Sequence, residues 1–316
     1  MRNRKSTLAL MLFGFASALS VAGQTATPTV QERLGYPATA RLLVLHSDDF
    51  GMSHSVNRAT EEGFANKSIT SASILVPCPW FPEAAKFAKE HPELDFGIHL
   101  ALNSEWTGMR WGPVSGREKV PSLLDLQGFL PLDTGEVAKN AKMNEVETEL
   151  RSQIEMARAL GISISHFDTH MNALAESPEL FRVYQKLGRE YGLPVLMVKE
   201  KLSKAPQLAA PAENVLIDAI VTLDPGIAAK DWTNWYKQQL AALRPGVYEA
   251  VVHLGYDDDE MRGATGDHPD WGAAWRQQDM ETLKSAEFRQ FLKDQGFILV
   301  TWRELAKALP TDYGKK

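Results

Sequence analysis

Short apolar runs alternate along the chain with longer stretches in which apolar residues recur every three or four positions. The runs predict strands at 42–46, 71–76, 95–100, 162–166, 193–198, 215–223, 247–253 and 297–301. Helical spacing covers 56–64, 81–90, 179–191 and 279–293. It also links Val146, Leu150, Ile154 and Ala157, with Gly161 where a helix C-cap is expected. Strand and helix alternating seven or eight times imply an α/β fold, a parallel sheet covered by helices. With eight candidate strands the expectation is a single irregular (β/α) barrel, TIM-barrel-like, of seven or eight strands. One long segment, 103–142, has no clear period; connections of that length tend to be lids or binding loops. Trp106 and Trp111 lie in it.

The ends of the chain change the picture. Arg2, Arg4 and Lys5 precede an apolar run over 8–22 that ends in small residues, the pattern of a secretory leader cut after Gly23. The run is shorter than the roughly 20 apolar residues that cross a bilayer. The expectation is therefore a signal peptide at 1–23, a linker at 24–36 and one barrel domain at 37–316. The mature chain would be exported, periplasmic or extracellular, with no stable membrane span. The leader carries three basic and no acidic residues, so its loss takes the formal charge from −6 to −9. An acidic chain without a Lys/Arg run excludes nucleic acid as the expected partner. Cys78, the single cysteine, can form no internal disulfide and reads as a small buried apolar residue. A homodimer is left open.

Candidate chemistry gathers at strand ends. Asp48 and Asp49 follow the first run, His99 ends the third, His166, Asp168 and His170 follow the fourth, and His253 ends the seventh. In a barrel these C-terminal ends converge on the face that carries the active site. Taken singly, an acid pair in a loop usually caps a helix, and a histidine between apolar neighbours is usually a core residue. Neighbouring residues near a strand end point in different directions, so one of Asp48 and Asp49 can hold a metal while the other faces water. Residues two apart share a face, which groups His166, Asp168 and His170. Asp168 suits the carboxylate that fixes the tautomer of a metal-bound imidazole, leaving His166 a weaker claim. Two imidazoles and one carboxylate, with a position left for water, make a catalytic zinc set. A second carboxylate then takes the water proton, and His253 is the candidate acid for the leaving group.

These residues resemble the YdjC-like family of carbohydrate deacetylases, which includes chitooligosaccharide deacetylases. Three blocks carry the resemblance: 47–51 (Ser-Asp-Asp-Phe-Gly) with Val56 and Asn57, 97–100 (Gly-Ile-His-Leu), and 166–170 (His-Phe-Asp-Thr-His). Segments 249–255, 271–279 and 302–305 add to it. The resemblance implies a deformed barrel, one divalent metal ion held by Asp49, His99 and His170, Asp48 as general base and His253 as general acid. It implies an N-acetylated carbohydrate as substrate. Zinc and magnesium both suit histidine with carboxylate. Two positions depart from the family pattern: Asn172 stands where a histidine is common, and Leu254 where a proline often follows the acid. Trp106, Trp111, Tyr256 and Trp271 are candidates to stack on a sugar ring. Competing readings are a metal-dependent phosphoesterase or amidase, and a non-catalytic carbohydrate-binding protein. The site blocks carry few basic residues for a phosphate, and both acids are present.

Overall fold

The computed structural model describes residues 28–208 and 214–314. The expected leader at 1–23 and the start of the expected linker lie outside the described residues. Among the described residues there are seven strands: β1 (Arg41–Phe50), β2 (Ser71–Ile74), β3 (Phe96–Leu100), β4 (Ile164–Thr169), β5 (Ala219–Val221), β6 (Gly246–Val252) and β7 (Phe297–Leu299). All pairs are parallel, in the order β4-β3-β2-β1-β6-β5. β1 is the longest strand and the hub. One flank pairs with β6 from Arg41↔Gly246 to Ser47↔Val252; the other takes β7 along its first half and β2 along its second.

The regular strands stop short of a closed ring. Between β4 and β5 the chain from Leu193 to Val198, expected as a strand, makes single bridges, Phe167↔Val195 and Val198↔Ile217, among the described residues. Leu196 N donates to Phe167 O at 2.9 Å and Lys199 N to Ile217 O at 2.8 Å, so this seam is spanned by isolated bonds rather than by a ladder.

Because both faces of the sheet are covered, β1 reads as a continuous apolar run. Its alternate residues go to different cores. Leu43 and Leu45 pack in the larger cluster, and Leu42 and Val44 pack with Val247, Val300 and Trp302 in a smaller one. His46 and Asp48 continue the row of Leu42 and Val44 toward the C-terminal end of the strand. The helix Met143–Ala159 buries Val146, Leu150, Ile154 and Ala157 as its spacing predicts, and Gly161 follows at φ 88°.

Two stretches differ from expectation. Within 24–36, Val30–Arg33 is a helix closed by a capping box on Thr29, and Val30 packs against the smaller cluster. The excursion 103–142 holds a short helix, Thr134–Asn140, and is tied down by Glu149, which accepts from Val114 N and Ser115 N, both at 2.9 Å. Among the described residues no helix is long and apolar enough to cross a membrane. Cys78 is buried and free.

Candidate active site

The end of β1 builds the site. Its register with β2 shifts between Ser47 and Phe50, and Asp49 takes φ 68°. An irregularity of this kind re-aims a side chain that strict alternation would send to the opposite face. Asp48 and Asp49 therefore both reach the mouth of the sheet. Gly51 at φ 102° turns the chain, and its N–H donates to Asn57 Oδ1 at 2.7 Å.

Asp49 is buried, and its two oxygens have different surroundings. Oδ2 accepts from Arg276 Nη2 at 2.8 Å. Oδ1 has no hydrogen-bond partner, and lies 3.7 Å from His99 Nε2 and 3.6 Å from His170 Nδ1. The far nitrogens of both rings are engaged, His99 Nδ1 with Asp168 Oδ1 at 2.7 Å and His170 Nε2 with Glu105 Oε2 at 2.8 Å. Those carboxylates accept, so the far nitrogens carry hydrogen, and the near ones, once relieved of their protons, can turn lone pairs to a cation held beside the free oxygen of Asp49. One ligand atom from each of Asp49, His99 and His170 lies within 4.8 Å of the others.

The site's ionisation follows from burial and charge. Burial pushes the Asp49 carboxyl up, but the Arg276 guanidinium, the His170 contact and His253 outweigh it and hold it well below the usual carboxylate range. Burial pushes His170 down, but Glu105 and Asp49 face it and raise it to about 10. Carboxylates that draw protons onto buried imidazoles present a charge that a divalent cation can balance instead, releasing those protons. The donor set and the unpartnered Asp49 oxygen fit such a cation. Among the described residues two further groups, the buried His46 with His166 and Asp168, and the half-buried Asp48 with buried His99 and Asp168, also bring possible ligand atoms together. In both groups the Asp168 oxygens are already engaged, one by His46 Nε2 and the other by His99 Nδ1.

Asp48 and His253 flank the metal-fitting group. Asp48 Oδ2 lies 3.8 Å from His99 Nε2 and 3.8 Å from His253 Nε2. Burial lowers the pKa of His253 against the pull of Asp49 and Asp48. Its backbone N–H donates to Asp279 Oδ2 at 3.0 Å, and its ring sits 5.3 Å from that of Trp275. A cavity of about 490 Å³ opens over these residues, and Trp106, Trp271, Lys201 and Asp224 are in its wall.

The sequence-predicted residues divide accordingly. Asp48, Asp49, His99, Asp168, His170, His253, Trp106 and Trp271 all border the cavity. Trp111 and Tyr256, expected to stack on a sugar, do not. Trp111 packs 5.9 Å from the His170 ring and donates from Nε1 to Asn103 O, so it backs the site. The Tyr256 hydroxyl bonds Glu62, and Arg58 covers its ring at 5.2 Å. His166 lies in the layer beneath, stacked on Trp302 at 4.9 Å and kept neutral by burial. Asn172 accepts from Lys201 Nζ at 2.8 Å. His46, Glu105, Glu249 and Arg276 escape the sequence reading. His46 sits two residues before Asp48 and Glu249 four before His253, a parity that could have found them. Arg276 and Glu105 come from a helix and an irregular segment and carry no such signal.

The sequence pattern described as YdjC-like protein matches residues 42–294. A carbohydrate deacetylase of Thermus thermophilus is 33% identical over 285 residues, 88% of this chain and 98% of that relative. Another, from Thermoanaerobacter pseudethanolicus, is 27% identical over 266 residues, 83% of this chain and 98% of its own. Among solved structures, an Enterococcus faecalis protein provisionally named for cellobiose-phosphate cleavage shares the fold with a TM-score of 0.73 at 24% identity. The match covers 84% of this chain and 99% of that one.

Proposed function

The chain belongs to the YdjC-like protein family, and from that premise we propose that it is a metal-dependent hydrolase that removes the N-acetyl group of an amino-sugar, free or within an oligosaccharide or glycoconjugate. One observation carries the reading: the unpartnered Asp49 Oδ1 faces two tautomer-fixed imidazoles, with Asp48 and His253 on the cavity side. The relatives named carbohydrate deacetylase support the substrate class.

Asp49, His99 and His170 would hold the cation. Bound there, a zinc or magnesium ion supplies Lewis acidity toward the acetamide carbonyl and a lowered pKa for water. The chain's own groups move the protons. Asp48 Oδ2 takes a proton from the water that adds to the acyl carbon. His253 Nε2 gives a proton to the nitrogen as the C–N bond breaks, and burial makes its imidazolium a readier donor. One water is consumed, and acetate and a free amine leave. Asp168 and Glu105 hold the two imidazoles in the tautomers this requires. Trp271 offers an aromatic face to the sugar, while Trp106, buried with Arg276 over its ring at 5.6 Å, supports the wall. The leader pattern at 1–23 supports export of this activity, to the periplasm or beyond the cell.

A neutral acetamide suits the cavity better than a phosphate ester. Asp48, Asp49, Glu105, Asp168 and Asp224 border it, and Arg276 is committed to Asp49. The presence of both proton-handling residues disfavours a silent sugar-binding protein. Metal-loaded protein is expected to release acetate across a panel of N-acetylated amino-sugars and no phosphate from phosphate esters. Asp48→Asn should still bind sugar while turnover falls by roughly 10²- to 10⁴-fold. Phosphate in place of acetate, or undiminished turnover by the variant, overturns the proposal.

A further inference from the structure

β1 sends alternate side chains to the interior, which places His46 directly beneath Asp48 in one row. His46 has no exposed surface. Its Nε2 lies 3.2 Å from Asp48 Oδ1, 3.1 Å from Asp168 Oδ2 and 3.1 Å from Ser73 Oγ. Ionised carboxylates only accept hydrogen bonds, so this nitrogen carries hydrogen. The remaining oxygen of each carboxylate does something else. Asp168 Oδ1 receives His99 Nδ1 at 2.7 Å, and Asp48 Oδ2 faces His253 Nε2 and His99 Nε2, each at 3.8 Å. A single imidazole N–H thus lies between the carboxylate that sets the His99 tautomer and the carboxylate that handles the water proton.

We infer that His46 is a positioning residue for the deacetylation: its Nε2–H pins Asp48 Oδ1 and Asp168 Oδ2 from below, so that Asp48 Oδ2 stays aimed at the reacting centre. The inference rests on the proposed function. Among the described residues, the other hydrogen-bond partner of Asp48 Oδ1 is the Ser73 hydroxyl at 3.5 Å, the outer edge of hydrogen bonding, so His46 is the closer hold on that carboxylate's rotation. The His46 ring is itself held. His166 meets it edge-on at 5.2 Å, and Glu249 Oε1 lies 3.8 Å from its Nδ1. His46 does not itself line the cavity, so its effect passes through Asp48 and Asp168, which do.

Two polar substitutions separate positioning from filling. In His46→Gln the amide nitrogen reaches about as far as Nε2 and brings two N–H groups for the two carboxylates; in His46→Asn it reaches only as far as Nδ1. With metal-saturated enzyme, His46→Asn is expected to lose on the order of 100-fold in kcat with KM within about twofold of the parent, and His46→Gln to recover to within about tenfold. The crystal structure of metal-loaded His46→Asn should show the Asp48 carboxylate turned, with Oδ2 no longer facing His253. Parent-like kcat in His46→Asn, equal losses in both variants, or an unmoved Asp48 carboxylate in that crystal structure overturns the inference. A parent enzyme that releases no acetate sinks the deacetylase reading, and the crystallographic comparison still decides the role of His46.

Discussion

Asp49 divides its two oxygens between a fixed cation, Arg276, and a space between two imidazoles. That division suits the residue to the proposed ligand role rather than to proton acceptance, and it was half visible in sequence. The adjacent acids at a strand end announced a site, but the partner that neutralises Asp49 stands 227 positions further on. Arg276 falls in the 271–279 segment that adds to the resemblance, but no apolar stripe singles it out, because the helix Ala273–Lys284 buries Arg276, Asp279 and Thr282 along with Trp275, Met280 and Leu283. Glu249 was missed for the opposite reason, because an acid inside an apolar strand looks like an interruption. It is fully buried; loss of solvent raises its carboxyl to about 8, against the lowering influence of His46. Between its unfolded value of 4.5 and about 8, the folded chain keeps a proton that the unfolded chain has released. The stability Glu249 contributes therefore falls as pH rises through that window. His46, raised in part by Glu249, shifts proton uptake in the same direction. Denaturant unfolding of the parent and Glu249→Gln across about pH 5 to 8 should show the parent losing ground as pH rises, by at most about 1.4 kcal/mol per pH unit. A difference independent of pH contradicts the assignment.

Among the elements, the central strands were legible because burial on both faces leaves a continuous apolar run. β1 nevertheless extends to Phe50, four residues beyond the apolar signal, because the backbone keeps pairing with β2 after the side chains turn polar. The 193–198 segment carries the same apolar signal, yet it makes single bridges at the seam and not a ladder. Composition reports burial and says little about pairing. Gly97 on β3 shows how tightly the layers below the site fit. A Cβ there would lie 2.4 Å from Cε1 and Nε2 of His166, and that ring is already stacked on Trp302. Gly97→Ala should therefore cost about 1–3 kcal/mol through overpacking. A lowered unfolding midpoint in thermal melts checks this, and a parent-like midpoint refutes the close-packing account.

For the molecule as a whole, strand–helix alternation was enough to give the fold class and to bring distant acids and histidines to one mouth. Eight candidate strands became seven because the fifth candidate lost its ladder. The aromatic residues were the least legible part. Trp106 and Trp271 border the cavity, while Trp111 braces His170 and Tyr256 binds Glu62, and no periodicity in an irregular segment distinguishes the two pairs. The central claim concerns the meeting of β1, β3 and the end of β4 around one cation. Crystals of zinc-loaded protein, measured at the zinc absorption edge, test it most directly. The account predicts an anomalous peak about 2.0–2.2 Å from Asp49 Oδ1, His99 Nε2 and His170 Nδ1 together. An anomalous map without a peak among those three atoms, from crystals of protein that retains stoichiometric zinc, would contradict it.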